Sequence, residues 1–111
     1  MVRLSQNELL ILKSLQSGRE RYGLEIRKAI EESFNQRMNF SSLYPKLELL
    51  EAKGFVTSKE DDIERPERAN TRRKYFKITG EGSRALSNWE NAFKAVSIPK
   101  NNYDYLSLAL T

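Results

Sequence analysis

Cysteine and histidine are both absent from the 111 residues. Without cysteine there is no disulfide and no thiolate chemistry, and the redox compartment is unmarked. Without histidine the commonest general base and the commonest zinc ligand are gone. Long apolar runs are missing as well. The chain opens with a run of only four, "LLIL", interrupted by Lys13. That is too short for a signal peptide or a membrane span, so the expectation is a soluble, cytoplasmic protein with no membrane partner. No glycine-rich phosphate loop occurs, and the acids are scattered over faces that should be solvated. These absences argue against an enzyme, and they give no reason to expect a metal or cofactor.

What is present is a mild positive balance: 19 Lys and Arg against 15 Asp and Glu, a net charge of +4. Such a balance permits nucleic-acid binding without requiring it. The length suits one domain with a modest core. There is no internal repeat and no low-complexity tract.

Hydrophobic periodicity orders the chain. "SQNE" at 5–8 has the form of a capping box, and Leu9, Leu12 and Leu15 follow as the buried stripe of a first helix that stops near Gly18. "YGLEIRKAIEESF" predicts a second helix burying Tyr22, Ile26, Ile30 and Phe34. "NQRMN" reads as a polar connection. "FSSLYPKLELLEAKGF" supplies a third helix, with Leu43, Leu47 and Leu50 on one face and Gly54 closing it. The period then changes. "FVTSKED" and "RRKYFKIT" read as two antiparallel strands, Phe76 and Ile78 sharing one face and Tyr75 and Lys77 the other. "DIERPERANT" between them is a long polar loop. Thr79 caps a fourth helix, "GEGSRALSNWENAFKAV", and "YDYLSLALT" ends the chain as a short apolar segment.

The order α-α-α-β-β-α, mainly helical with a small two-stranded antiparallel wing, is the winged helix-turn-helix arrangement. Residues 1–80 would form that domain, and residues 81–111 a helix and tail suited to dimerisation. The third helix is then the element for a major groove. Its Pro45 looks misplaced, because proline lacks the N–H that a helix interior needs. With Ser41 or Ser42 as N-cap, Pro45 falls in or just after the first turn, where little is lost. The helix would then present Ser41, Pro45 and Glu48 outward, flanked by Ser42, Tyr44 and Lys46. An ordinary capped core helix accounts for the same pattern.

"SSLYPKLELLEAKGFV" followed by "RRKYFKITGEG", with "YGLEI" upstream, resembles the PadR-like family of transcriptional regulators across roughly residues 5–90. Each motif is weak alone; their order and spacing are specific. A glycine often stands in the family where this chain has Ser41. The resemblance implies a winged-helix homodimer that represses transcription from inverted repeats in double-stranded DNA. It places Ser42, Tyr44, Pro45 and Lys46 at the DNA surface; Ser41, where the chain departs from the family, is read as a further DNA-surface residue that can also supply the cap. Tyr44 either donates its hydroxyl to a phosphate or packs on the second helix.

In the wing, Arg65 and Arg68 are interleaved with acids and read as solvated surface. The acid-free run Arg72, Arg73 and Lys74 is the better phosphate contact. In the fourth helix Leu86, Trp89, Phe93 and Val96 make a stripe beyond what the core needs, and Tyr103, Leu106 and Leu110 add apolar surface in the tail. A second copy would cover both; the tail folding back on its own chain would do the same for its part. Trp89 reads as a dimer-core residue. By resemblance an aromatic there can also line a pocket for a flat, hydrophobic effector. Two function classes therefore stand: a dimeric, sequence-specific DNA-binding repressor, and a winged-helix protein-interaction module without specific DNA binding.

Overall fold

The first helix, α1 (Gln6–Ser14), starts on the capping box that the sequence predicts. The Glu8 N–H donates to Ser5 Oγ at 3.2 Å, and the Ser5 N–H donates to Glu8 Oε1 at 3.0 Å. The computed structural model describes residues 3–61 and 73–95, with side chains for all of these but 93–95. The elements that follow are β1 (Arg21–Tyr22), α2 (Gly23–Phe34), α3 (Phe40–Ala52), β2 (Val56–Glu60), β3 (Lys74–Ile78) and α4 (Gly80–Ala95).

Helix α1 is buried more completely than its expected stripe. Leu10 and Ile11 join Leu9, Leu12 and Leu15 in the core. The reason is position: α1 packs against α2, α3 and α4 at once, and a helix walled on several sides buries more than one face. Ile26 and Ile30 of α2, Leu43, Leu47 and Leu50 of α3, and Phe76 and Ile78 of β3 complete the centre of the core. Met38 is buried too, so the polar connection between α2 and α3 carries one core side chain.

The sheet has three strands rather than the two expected, in the antiparallel order β1-β3-β2. In β2–β3 the register pairs Val56 with Ile78 and Glu60 with Lys74; in β1–β3 Tyr22 pairs with Tyr75. Tyr22 thus lies in a strand just before α2, half-buried, instead of inside the helix. Its N–H donates to Glu25 Oε1 at 3.1 Å, which starts α2 at Gly23. Two residues carry no period, so β1 could not show itself in the sequence.

Thr79 joins the end of α3 to the start of α4. Its hydroxyl donates to the Gly54 carbonyl at 2.6 Å and accepts from the Gly82 N–H at 3.0 Å, and its own N–H donates to the Phe55 carbonyl at 3.0 Å. The approach is close enough that a Cβ on Gly82 would sit 2.1 Å from the Phe55 carbonyl oxygen. Ala85 and Leu86 continue from this junction into the same core as the three preceding helices. A Lys13–Glu90 ion pair at 3.5 Å ties α1 to α4 farther along.

Among the described residues, one carboxylate is buried. Glu8, 3% exposed, receives the Lys53 ammonium at 2.5 Å from the C-terminal end of α3. Burial pushes its carboxyl pKa up. The hydrogen bonds from Lys53 and Ser5, with the attraction of the Lys53 charge, outweigh burial and hold the carboxyl below its ordinary value.

Candidate nucleic-acid interface

The N-cap of α3 is Asn39, neither Ser41 nor Ser42. Asn39 Oδ1 accepts from the Ser42 N–H at 2.9 Å and from the Ser41 hydroxyl at 2.7 Å. The helix therefore begins earlier than expected, at Phe40. Pro45 becomes its sixth residue and lies in the second turn. There the missing N–H has a cost: the Ser41 carbonyl loses its usual intrahelical donor. Both residues lie on the exposed side of α3, where water can reach that backbone.

The outward face matches the helical wheel. Ser41, Tyr44, Pro45 and Glu48 are exposed, while Ser42 and Lys46 are half-buried at the edges. Tyr44 packs against α2. A Cβ on Gly23 would sit 2.2 Å from the Tyr44 hydroxyl, so the bare glycine is what admits the ring tip. The ring stays 45% exposed all the same.

Phe40, 37% exposed, was not among the residues expected at this surface. Its ring centroid lies 5.7 Å from that of Tyr44 and 4.9 Å from the guanidinium carbon of Arg27 in α2. Three residues before Leu43 and seven before Leu47, it falls on the inward side of a wheel. It escapes burial because it is the first residue of the helix. Leu24, beside Gly23 in α2, is a further exposed apolar side chain.

The wing cations differ from the three free charges expected. Arg72 lies outside the described residues, as do Arg65 and Arg68. The Arg73 guanidinium sits 4.2 Å from the Tyr22 ring centroid, and Tyr22 meets Tyr75 edge-on at 5.6 Å. Lys74 alternates onto the same side as Phe76 and Ile78, with its ammonium 4.0 Å from Glu51 of α3. It is therefore partly engaged by its own chain. Exposed Lys77, on the opposite side of β3, was not singled out by the sequence, because alternation alone does not rank cations.

Leu86 is corrected. At 2% exposure it belongs to the chain's own core and has no surface to offer a second copy. Trp89 is half-buried and packs against that core. The side chains of Phe93, Val96, Tyr103, Leu106 and Leu110 lie outside the described residues.

A helix-turn-helix whose second helix is exposed along one side, followed by a β-hairpin wing and a closing helix, defines a winged-helix domain. The profile of the Transcriptional regulator PadR-like family matches residues 11–88, and the chain belongs to that family. Among solved structures, a PadR-like transcription factor from Bacteroides fragilis is similar at 25% identity and a TM-score of 0.67, covering 78% of this chain and 79% of its own. A transcriptional regulator from Thermoplasma acidophilum is similar at 26% identity and a TM-score of 0.65, covering 79% and 80%. A PadR family transcription regulator from Clostridium difficile shares the fold at 24% identity and a TM-score of 0.66, covering 81% and 88%. No curated protein matches the chain. Among the described residues, no helix is long and apolar enough to cross a membrane.

Proposed function

We propose that this transcriptional regulator is a dimeric repressor that binds an inverted repeat in double-stranded DNA. Helix α3 lies in the major groove and the wing lies along the phosphates. The observation that carries this reading is the exposed N-terminal half of α3, with Ser41, Tyr44 and Pro45 outward and Lys46 at its edge. A helix N-terminus with hydroxyls and no acid in its first turn suits a phosphate backbone. Arg73, held over Tyr22, is presented at the root of the wing. Ser42 and Tyr44 supply hydroxyls, while Arg72 and Lys74 add charge. Dimer contacts fall to the far part of α4 and the tail, through Trp89, Phe93, Val96, Tyr103, Leu106 and Leu110. Trp89 serves that contact in preference to a pocket for a flat effector.

Selection of bound sequences from a random duplex DNA pool tests this directly. The expected result is an enriched inverted repeat whose affinity falls by orders of magnitude over a few-fold rise in salt. No enrichment, or an affinity indifferent to salt, would leave the protein-interaction reading instead.

A further inference from the structure

The cluster at the start of α3 has a property that the groove-binding reading does not use. Phe40 is a bare hydrocarbon exposed at the first position of the proposed recognition helix. It is not loose. The Arg27 guanidinium lies over its ring at 4.9 Å, and Tyr44 stands beside it at 5.7 Å. Tyr44 is in turn seated against Gly23, where even a methyl group would collide with its hydroxyl. Arg27 and Gly23 come from α2, so two helices hold the ring in place. No ion pair holds Arg27 among the described residues, so its charge remains available for a phosphate while its guanidinium carbon lies over the ring.

A phenyl ring has no donor or acceptor and cannot read the hydrogen-bond pattern of a base pair. The major-groove edge carries one apolar feature, the C5-methyl group of thymine. Adenine and guanine offer a fixed phenyl mainly polar groups to desolvate, and cytosine offers only a C5–H where thymine has its methyl group. We infer that Phe40 is a specificity residue that selects thymine by packing on its methyl group, with Arg27 and Tyr44 fixing the ring's place. The inference rests on the DNA-binding reading above and adds to it which base the cluster chooses.

The test uses the full chain and the site that it enriches from a random duplex pool. Each thymine of that site is replaced in turn by deoxyuridine, which removes the methyl group and leaves the pairing edge intact. Wild-type affinity should fall about fourfold at one thymine per half-site, the worth of one methyl group taken out of water. Phe40→Ala should be indifferent to that replacement and should enrich sites in which the base is no longer fixed. Two results overturn the inference while leaving DNA binding standing: no deoxyuridine costs wild-type affinity, or the variant shows the same loss at the same thymine. If Phe40→Ala does not fold, the wild-type measurement can still overturn the inference, and Phe40→Gln takes the place of the alanine variant. Failure of the wild-type chain to enrich any site would overturn both readings.

Discussion

Gly82 is the residue on which the junction of α3, β2 and α4 depends. Its missing side chain lets the first turn of α4 rest on the Phe55 backbone. A backbone carbonyl cannot swing aside as a side-chain tip can. Gly82→Ala should therefore destabilise the fold by about 1–3 kcal/mol, as overpacking does. Urea unfolding would measure it; an unchanged midpoint would show that α4 can shift without cost. Glu8 gives a second prediction with a pH sign. Its folded carboxyl titrates below its ordinary value, so the stability it contributes is fully present above the ordinary carboxylate range and is lost as pH falls through the folded value. Lys53→Met removes the charged partner and leaves burial opposed by Ser5 alone. The variant should lose about 1.5–3 kcal/mol at neutral pH, the worth of a hydrogen bond to a charged group, and much less at a pH acid enough to protonate the folded carboxyl. Unfolding curves at both pH values check this. An equal loss at both would mean that Lys53 acts through packing of its stem.

At the scale of elements, α3 carries the proposed groove contact. Lys46→Glu should weaken binding to the selected site roughly tenfold, the lower bound for losing a charged hydrogen bond. Lys46 is half-buried at the edge of α3 and outside the core, so thermal stability should hold. A gel shift with a parallel melting curve separates the two effects, and unchanged affinity would remove Lys46 from the site. Much of this element was legible in advance. Leu43, Leu47 and Leu50 announced the buried face through their spacing, and Ser41, Pro45 and Glu48 followed as its opposite. The start of α3 was not legible, because Asn39, Ser41 and Ser42 are all competent caps and their spacing alone does not choose between them. Strand β1 was illegible for lack of length. Phe40 and Arg27 were missed because their contact joins two helices, and a wheel drawn for one helix cannot show it.

At the scale of the whole molecule, the proposed dimer rests on α4. Trp89 divides its ring between its own core and the surface, so its truncation acts twice. Trp89→Ala should lower the stability of the single chain by about 1–3 kcal/mol, less than a fully buried aromatic costs. It should also shift the dimer toward monomer by roughly 2 kcal/mol or more. Operator affinity should fall with the dimer, although no DNA contact is removed. Sedimentation at concentrations spanning the dissociation would show both species. A wild-type monomer would place the whole stripe within one chain. Leu86 belongs to this argument by exclusion: it is committed to the core, so an apolar contact between copies through this stripe of α4 falls farther along.

The Thr79 junction also makes α4 a mechanical part. Its root is pinned to the backbone at the end of α3 by one hydroxyl and one N–H. Its 16 residues form a rod about 24 Å long. Ala85 and Leu86 seat it in the core and Glu90 ties it to α1, so α4 turns with its own domain, and a turn of about 5° carries the tip by roughly 2 Å over that length. In the proposed dimer the relation runs the other way too. Whatever grips the tips sets the angle of each root, and with it the span between the two recognition helices. Two copies joined in this way work like tongs, handles at the far ends of α4 and jaws at α3, each domain moving as one arm.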